Sequence, residues 1–492
     1  MAEDTVDIEL CAEEIRRVFQ EISSEVANAI NRIPAKTHSG AATAELERLL
    51  PSTAPAQGGG ADALRTLVRD IYLPHIRNYR HPLHYGHQRP APLAATVIAD
   101  LAANAFNPTV TMLEGGPISV TIERRVMEWF RQLAGFPLGS CGTLLHGGTE
   151  GILTALLAAR DDRGPGRILA SEESHYAVAR AAHVLGLAPD ALWRIPADSR
   201  GRVSLSLLEQ AARHIRSNGG RVMAMVANAG STANGAFDDL IGMASIAKEY
   251  GAWFHVDGSH GASALLSRRL RSKLLGVECA DSLSWNPHKL LWVASPCSIL
   301  IVKEPSKLLA SLAPGMETAS YVLPSAGVSN HQAAHGDDPL RFTLACTRYF
   351  AALRLCAALT VYGTDALGRR IERTHDLARD LCEQLAAASD FRIHSQPELN
   401  MVCFQHVPAG RKMSGRKLSS YNQTIRQRLA AGTDAYLTGV ELGGRYWLRA
   451  QIMSPNTTPM SNSKLLELIR QAGDRHRIEP PDTPHAEESA HA

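Results

Sequence analysis

The chain has 492 residues, of which 45% are apolar and 20% charged, and a formal net charge of +2. That length exceeds what a single hydrophobic core fills, so two domains, or one domain with large additions, are expected. A near-neutral balance without a Lys/Arg stripe argues against a nucleic-acid partner, and no stretch reaches the ~18 apolar residues of a membrane span.

Taken in chain order, the start Met1-Ala-Glu-Asp-Thr5 lacks the basic-then-apolar order of a signal peptide. Ile8, Ile15, Val18, Ile22, Val26 and Ile30 recur at helical spacing and predict an amphipathic helix over 8–33. Pro51-Ser-Thr-Ala-Pro-Ala-Gln-Gly-Gly-Gly60 reads as a linker, so residues 1–92 form an N-terminal helical segment interrupted near 51–62. From 93 to 362, short apolar runs (Arg167–Ala170, Val222–Ala227, Trp253–Val256, Cys297–Val302) alternate with helix-length stretches. That alternation predicts a large α/β domain with a mostly parallel sheet. Residues 363–478, with strand candidates Met401–Gln405 and Tyr446–Ile452, read as a small α+β domain. The tail 479–492, rich in Pro, Glu, Ala and His, is expected to be disordered. Arg268, Arg269, Arg271 and Lys273 cluster and read as a solvated face. The eight cysteines are scattered without a Cys-x-x-Cys pair, which argues against disulfide staples and structural zinc. A reducing, cytoplasmic compartment is expected.

Three segments carry chemistry. Leu145-His-Gly-Gly-Thr-Glu150 opens a strong helix, and a helix N-terminus with close-approaching glycines and the Thr149 hydroxyl can hold a phosphate. Asp257 follows an apolar strand in Trp253-Phe-His-Val-Asp257, placing it at the carboxyl end of the sheet where open α/β folds bind ligands. Lys289 stands thirty-two residues later in Asn286-Pro-His-Lys-Leu-Leu-Trp292, where apolar neighbours strip its hydration and raise its nucleophilicity. Singly, these are a capped turn, a turn aspartate and a surface lysine. Together, and in this order, they make the set a pyridoxal phosphate (PLP) site needs: a phosphate anchor, a carboxylate for the pyridine nitrogen, and a Schiff-base lysine.

At these residues the sequence resembles the pyridoxal-dependent decarboxylase family that includes glutamate, cysteine sulfinate and aromatic amino acid decarboxylases. Asn286-Pro-His-Lys289 is the most specific match. Ser171-Glu-Glu-Ser-His-Tyr176, Asn228-Ala-Gly-Ser-Thr232, His255-Val-Asp257 and Cys297-Ser-Ile-Leu-Ile-Val-Lys-Glu304 stand around it, and the likeness runs from about Arg80 to Met453. The resemblance implies a fold-type I (aspartate aminotransferase-like) PLP enzyme, a homodimer with its active site at the subunit interface. It implies that Lys289 carries the cofactor, Asp257 pairs with the pyridinium nitrogen, and His175 stacks on the ring. Gly148, Thr149, Asn286 and His288 would bind the phosphate. Thr232 would lie near the ring, Ser259 beneath it where alanine is usual, and Arg449 close to the substrate carboxylate. Tyr321 falls where the family has a proton-donating tyrosine on a mobile loop. The implied reaction removes CO2 from an L-amino acid and protonates the remaining carbon.

Two departures stand out. Where the family usually has Cys-Gly-Arg, this chain reads Leu344-Ala-Cys-Thr-Arg348, and His260 stands where an aromatic residue is usual. The family stretch lining the substrate pocket aligns with His81-Pro-Leu-His-Tyr-Gly-His87, making His84, Tyr85 and His87 pocket candidates together with Thr109 and Thr111. Such a polar, imidazole-bearing lining favours a small acidic or polar side chain: glutamate, aspartate or cysteine sulfinate. Aromatic amino acids and 2,4-diaminobutyrate stay open as substrates. So do a decarboxylating aldehyde synthase, in which oxygen replaces the proton, another PLP lyase or aminotransferase, and a non-catalytic PLP-binding dimer partner.

Overall fold

The computed structural model describes residues 11–314, 338–408, 410 and 413–474. Helix Ala12–Asn31 opens the described chain and leaves Ile15 and Phe19 exposed on its apolar face. After the loop through Pro51, helix Gly60–Arg65 runs on through a widened turn, Thr66–Tyr72, towards a first short strand, β1 (His84–Tyr85).

The large domain is built on seven strands. They are β2 (Cys141–Leu145), β3 (Arg167–Ser171), β4 (Leu192–Ile195), β5 (Val222–Asn228), β6 (Trp253–Asp257), β7 (Ser282–Trp285) and β8 (Ser298–Val302). Their order across the sheet is β2-β8-β7-β6-β5-β3-β4. Neighbours from β7 to β4 pair in parallel, and only β8 runs against them, between β7 and β2. Strands β5 to β8 are buried along their whole length. Helices cover both faces, which is why these strands read as continuous apolar runs. All strands but β8 therefore end at one edge, and the chain leaves that edge towards Gly148, His175, Thr232, Asp257 and Lys289.

The small domain holds β9 (Phe391–Ile393), β10 (Met401–His406), β11 (Tyr436–Leu442) and β12 (Arg445–Gln451) in the order β1-β11-β12-β10-β9. The inclusion of β1 differs from the sequence reading of 1–92 as a separate helical segment. His84 and Tyr85 pair in parallel with Tyr436 and Leu437, and a two-residue strand is too short to leave a periodic signal. Helix Ala352–Ala387 crosses between the domains and breaks at Gly363, whose φ of 72° favours glycine. Before the break Ala352, Leu355 and Ala358 join the large core; beyond it Leu377, Leu381 and Leu385 fill the small one. The basic cluster is largely neutralised by ion pairs, with Arg268 on Asp365, Arg269 on Asp376 and Lys273 on Glu398. No described helix is long and apolar enough to cross a membrane.

Candidate active site

Register places the acid and the lysine side by side. Asp257, the last residue of β6, is the cross-strand partner of Ser284 on β7, and the turn after β7 carries Asn286 to Lys289. Asn286 N–H donates to the Ser259 carbonyl at 3.2 Å, and Lys289 N–H to the Asn286 carbonyl at 2.9 Å. The first bond ties the two turns together, and the second closes the turn that carries Lys289. Lys289 is exposed only towards the cavity it lines, behind a wall of Leu290, Leu291 and Trp292. That burial pulls its ammonium down to about 8, against the opposing pull of Asp257. Asp257 is buried and accepts from Ser259 N–H at 3.1 Å. Two residues back on the same face, His255 Nδ1 sits 2.8 Å from the Ser282 hydroxyl, a buried polar layer beneath the acid.

The helix Gly148–Arg163 begins against the same turns. A Cβ on Gly148 would lie 2.7 Å from both Asn286 Nδ2 and Ser259 Oγ, so only glycine admits this approach. Gly147 caps the helix without a side-chain acceptor, leaving first-turn N–H groups and the positive dipole end for an anion. His288 Nδ1 is anchored 2.5 Å from the Cys297 carbonyl, and burial pushes this imidazole down to about 4. His175 Nδ1 accepts from Ala177 N–H at 3.2 Å, and its ring packs 4.2 Å from that of Tyr176. Burial lowers the His175 pKa, with Asp257 opposing.

These groups surround one cavity of about 700 Å³, lined by Gly148, Thr149, His175, Thr232, Asp257, Ser259, Asn286, His288 and Lys289, and also by His87. Arg449 stands behind the wall; its guanidinium donates to the Thr232 carbonyl and, at 3.2 Å, to Thr438 Oγ1. His84 is also one layer back, stacked on the Tyr436 ring at 5.3 Å. Tyr85 corrects the sequence reading. Strand alternation turns its side chain away from the cavity into the small-domain core, where its hydroxyl donates to Asn462 at 2.8 Å. Thr109 and Thr111 do not line this cavity either. Thr111 Oγ1 donates to the Cys346 carbonyl, and Thr109 backs onto Gly115 and Gly116. Tyr321 lies outside the described residues.

The sequence reading missed Tyr79, Gln88, Arg89, His146 and Tyr176, which also line the cavity. Gln88 and Arg89 directly follow His87, so reading two residues further along the same stretch would have found them. Tyr436, whose hydroxyl lies 2.8 Å from His87 Nε2, comes from β11 with no local signal.

The Pyridoxal-dependent decarboxylase conserved domain matches residues 44–407. The chain belongs to this family. It is 29% identical over 423 residues to the L-2,4-diaminobutyrate decarboxylase of Rhizobium meliloti, covering 84% of this chain and 82% of that one. It is 30% identical over 400 residues to the cysteine sulfinic acid decarboxylase of Mus musculus, covering 78% of each. The crystal structure of Oryza sativa TDC with PLP and tryptamine superposes with a TM-score of 0.87 at 21% identity, over 96% of this chain and 100% of that one. The protein is therefore a PLP-dependent amino acid decarboxylase of fold-type I. Its cavity fits the cofactor: a helix start closed to any Cβ for the phosphate, a buried carboxylate for the ring nitrogen, and a lysine made nucleophilic by burial.

Proposed function

We propose that this decarboxylase acts on a small acidic L-amino acid: glutamate, aspartate or cysteine sulfinate. One observation carries the reading. Arg89 lines the cavity beside His87 and Gln88, and Arg449, bonded to the Thr232 carbonyl, stands directly behind the wall. The only carboxylate among the described lining residues is Asp257, which is committed to the cofactor end. A cationic substrate side chain finds no further counter-charge in the described lining, whereas an anionic one finds Arg89.

In this reading Lys289 would hold the cofactor, its buried amine being the group that a substrate amine would replace. Asp257 would pair with the ring nitrogen, and His175 would lie against the ring face. Gly148, Thr149, Asn286 and His288 would hold the phosphate, with Thr232 and Ser259 lining the cavity near where the ring would lie. The cofactor itself supplies the electron sink for the bond to CO2. Arg449, held by Thr232 and Thr438, keeps a charged fork for the α-carboxylate. Tyr321 delivers the proton to Cα. The chain acts as a homodimer whose partner covers the exposed apolar residues Ile15, Phe19, Ile98 and Phe106. All eight cysteines are free, as suits a reducing cytoplasm.

The test is CO2 release by PLP-saturated enzyme from a panel of L-amino acids. The acidic substrates should exceed 2,4-diaminobutyrate and aromatic amino acids in kcat/KM by about 10-fold or more, the worth of one charge-assisted contact. Arg89→Gln should narrow that gap. A preference for diaminobutyrate or an aromatic amino acid overturns the acidic reading while leaving the decarboxylase intact.

A further inference from the structure

Tyr436 opens β11 beside β1, where its register partner is His84. Its ring is closely held. The Arg77 guanidinium lies 3.9 Å from the ring centroid, the His84 ring stacks on it at 5.3 Å, and a Cβ on Gly86 would come within 2.2 Å of its edge. The side chain is buried, and its hydroxyl meets His87 Nε2 at 2.8 Å. His87 itself holds a left-handed backbone, with φ of 58°, which costs a non-glycine residue energy and persists where surrounding contacts enforce it. The bond to Tyr436 is one such contact. The His87 ring lines the cavity, and its Nδ1 bonds no described residue.

Burial, and after it the charges of Arg449, Arg77, Arg426 and Arg89, lower the His87 pKa, so at neutral pH and above the imidazole carries a single N–H. A phenol hydroxyl can donate or accept, whereas a carboxylate or sulfinate only accepts. With such an anion at Nδ1, the hydrogen must sit on Nδ1, and Nε2 must accept from Tyr436. We infer that Tyr436 is a positioning residue that sets substrate specificity: its hydroxyl donates to His87 Nε2 and thereby presents Nδ1–H to the anionic side chain of the substrate. This role rests on the acidic reading proposed above. Tyr436 and His87 are joined at the β1–β11 edge of the small-domain sheet, away from the turns that carry Asp257 and Lys289. The contact therefore serves the substrate and not the cofactor.

Tyr436→Phe keeps the ring and its packing and removes only the hydroxyl. In CO2 release by PLP-saturated enzyme, it should raise KM for the preferred acidic substrate by about 5- to 10-fold, the worth of one hydrogen bond, with a smaller change in kcat. His87→Ala should raise KM at least as much. Adding Tyr436→Phe to His87→Ala should then cost no more than about 2-fold further, because the hydroxyl acts through the imidazole. A loss of equal size with and without His87 is what a purely structural ring would give, and it overturns the assignment. So does an unchanged KM in Tyr436→Phe; in both cases the acidic preference of the wild type stands. A wild type that prefers a non-acidic substrate overturns the acidic reading, and this role with it.

Discussion

The guanidinium of Arg449, on a strand of the small domain, donates to the backbone carbonyl of Thr232, in the wall of the cofactor cavity. A second bond, from Nε to Thr438 Oγ1 at 3.2 Å, fixes the plane of the fork from its own side of the domain boundary. One side chain thus ties the position of the small domain to the geometry of the cavity. Burial lowers its pKa, but a guanidinium stays charged through the working range.

Arg449→Lys should retain the charge and lose the fork. A flexible ammonium cannot hold the Thr232 carbonyl and a carboxylate at once, so kcat/KM should fall by about 10- to 100-fold, the worth of a charge-assisted hydrogen bond. Cofactor affinity, measured by PLP titration of the apoprotein, should stay close to wild type. A comparable loss of PLP affinity would place Arg449 with the cofactor instead of the substrate.

Gly148→Ala tests the phosphate end. The new methyl would meet Asn286 Nδ2 and Ser259 Oγ at 2.7 Å, forcing the helix start away from both turns. PLP affinity should fall by about 10-fold or more as anion contacts lengthen. The melting temperature of the apoprotein should change little, because helix propensity favours alanine over glycine. Equal affinity in the variant would move the phosphate elsewhere.

Acid should unfold this protein partly through three imidazoles. Burial holds His84 at about 3, His255 at about 4 and His260 at about 3, below the ordinary value of 6.5. Below pH 6.5 the unfolded chain takes up protons that the folded one refuses. Stability present above 6.5 is therefore lost as pH falls towards 4, by about 1.4 kcal/mol per pH unit for each ring. Thermal unfolding of the holoenzyme between pH 7 and 4 should show this, and His260→Phe should flatten the slope by one proton. A slope unchanged by that substitution would mean the ring is protonated in the fold.

Most of the site was legible because its residues lie in short contiguous runs at strand ends. Asn286-Pro-His-Lys289 and His255-Val-Asp257 each report a strand edge and the chemistry placed on it. The helix starting at Gly148 adds the third corner, and a parallel sheet brings all three to one edge. Tyr85 was misplaced because a two-residue strand gives no periodicity from which to tell its faces. Tyr436 was invisible because it reaches His87 from a distant strand of the small domain, through one hydrogen bond. The Gly363 break could be read only once the helix on both sides of it was seen to be continuous.

The departure at Ala345-Cys-Thr-Arg348 separates into a tolerant position and an intolerant one. Thr347 is exposed, so Thr347→Gly, restoring the family residue, should change stability by no more than about 0.5 kcal/mol. Arg348 is buried, bonding Glu123 Oε1 at 2.9 Å, the Val110 carbonyl at 2.7 Å and the Leu144 carbonyl at 3.0 Å. It thereby joins the loop before helix Pro117–Leu133, that helix itself, and β2 just ahead of the turn at Gly147 and Gly148. Arg348→Leu strands the Glu123 carboxylate and two carbonyls without a donor, and should cost about 3–5 kcal/mol. Glu123→Gln with Arg348→Leu should recover part of that loss, because the stranded charge is gone. Chemical unfolding of the three variants against wild type measures each term. If Arg348→Leu alone were as stable as wild type, the buried pair would not be what fixes the 110 loop against the sheet.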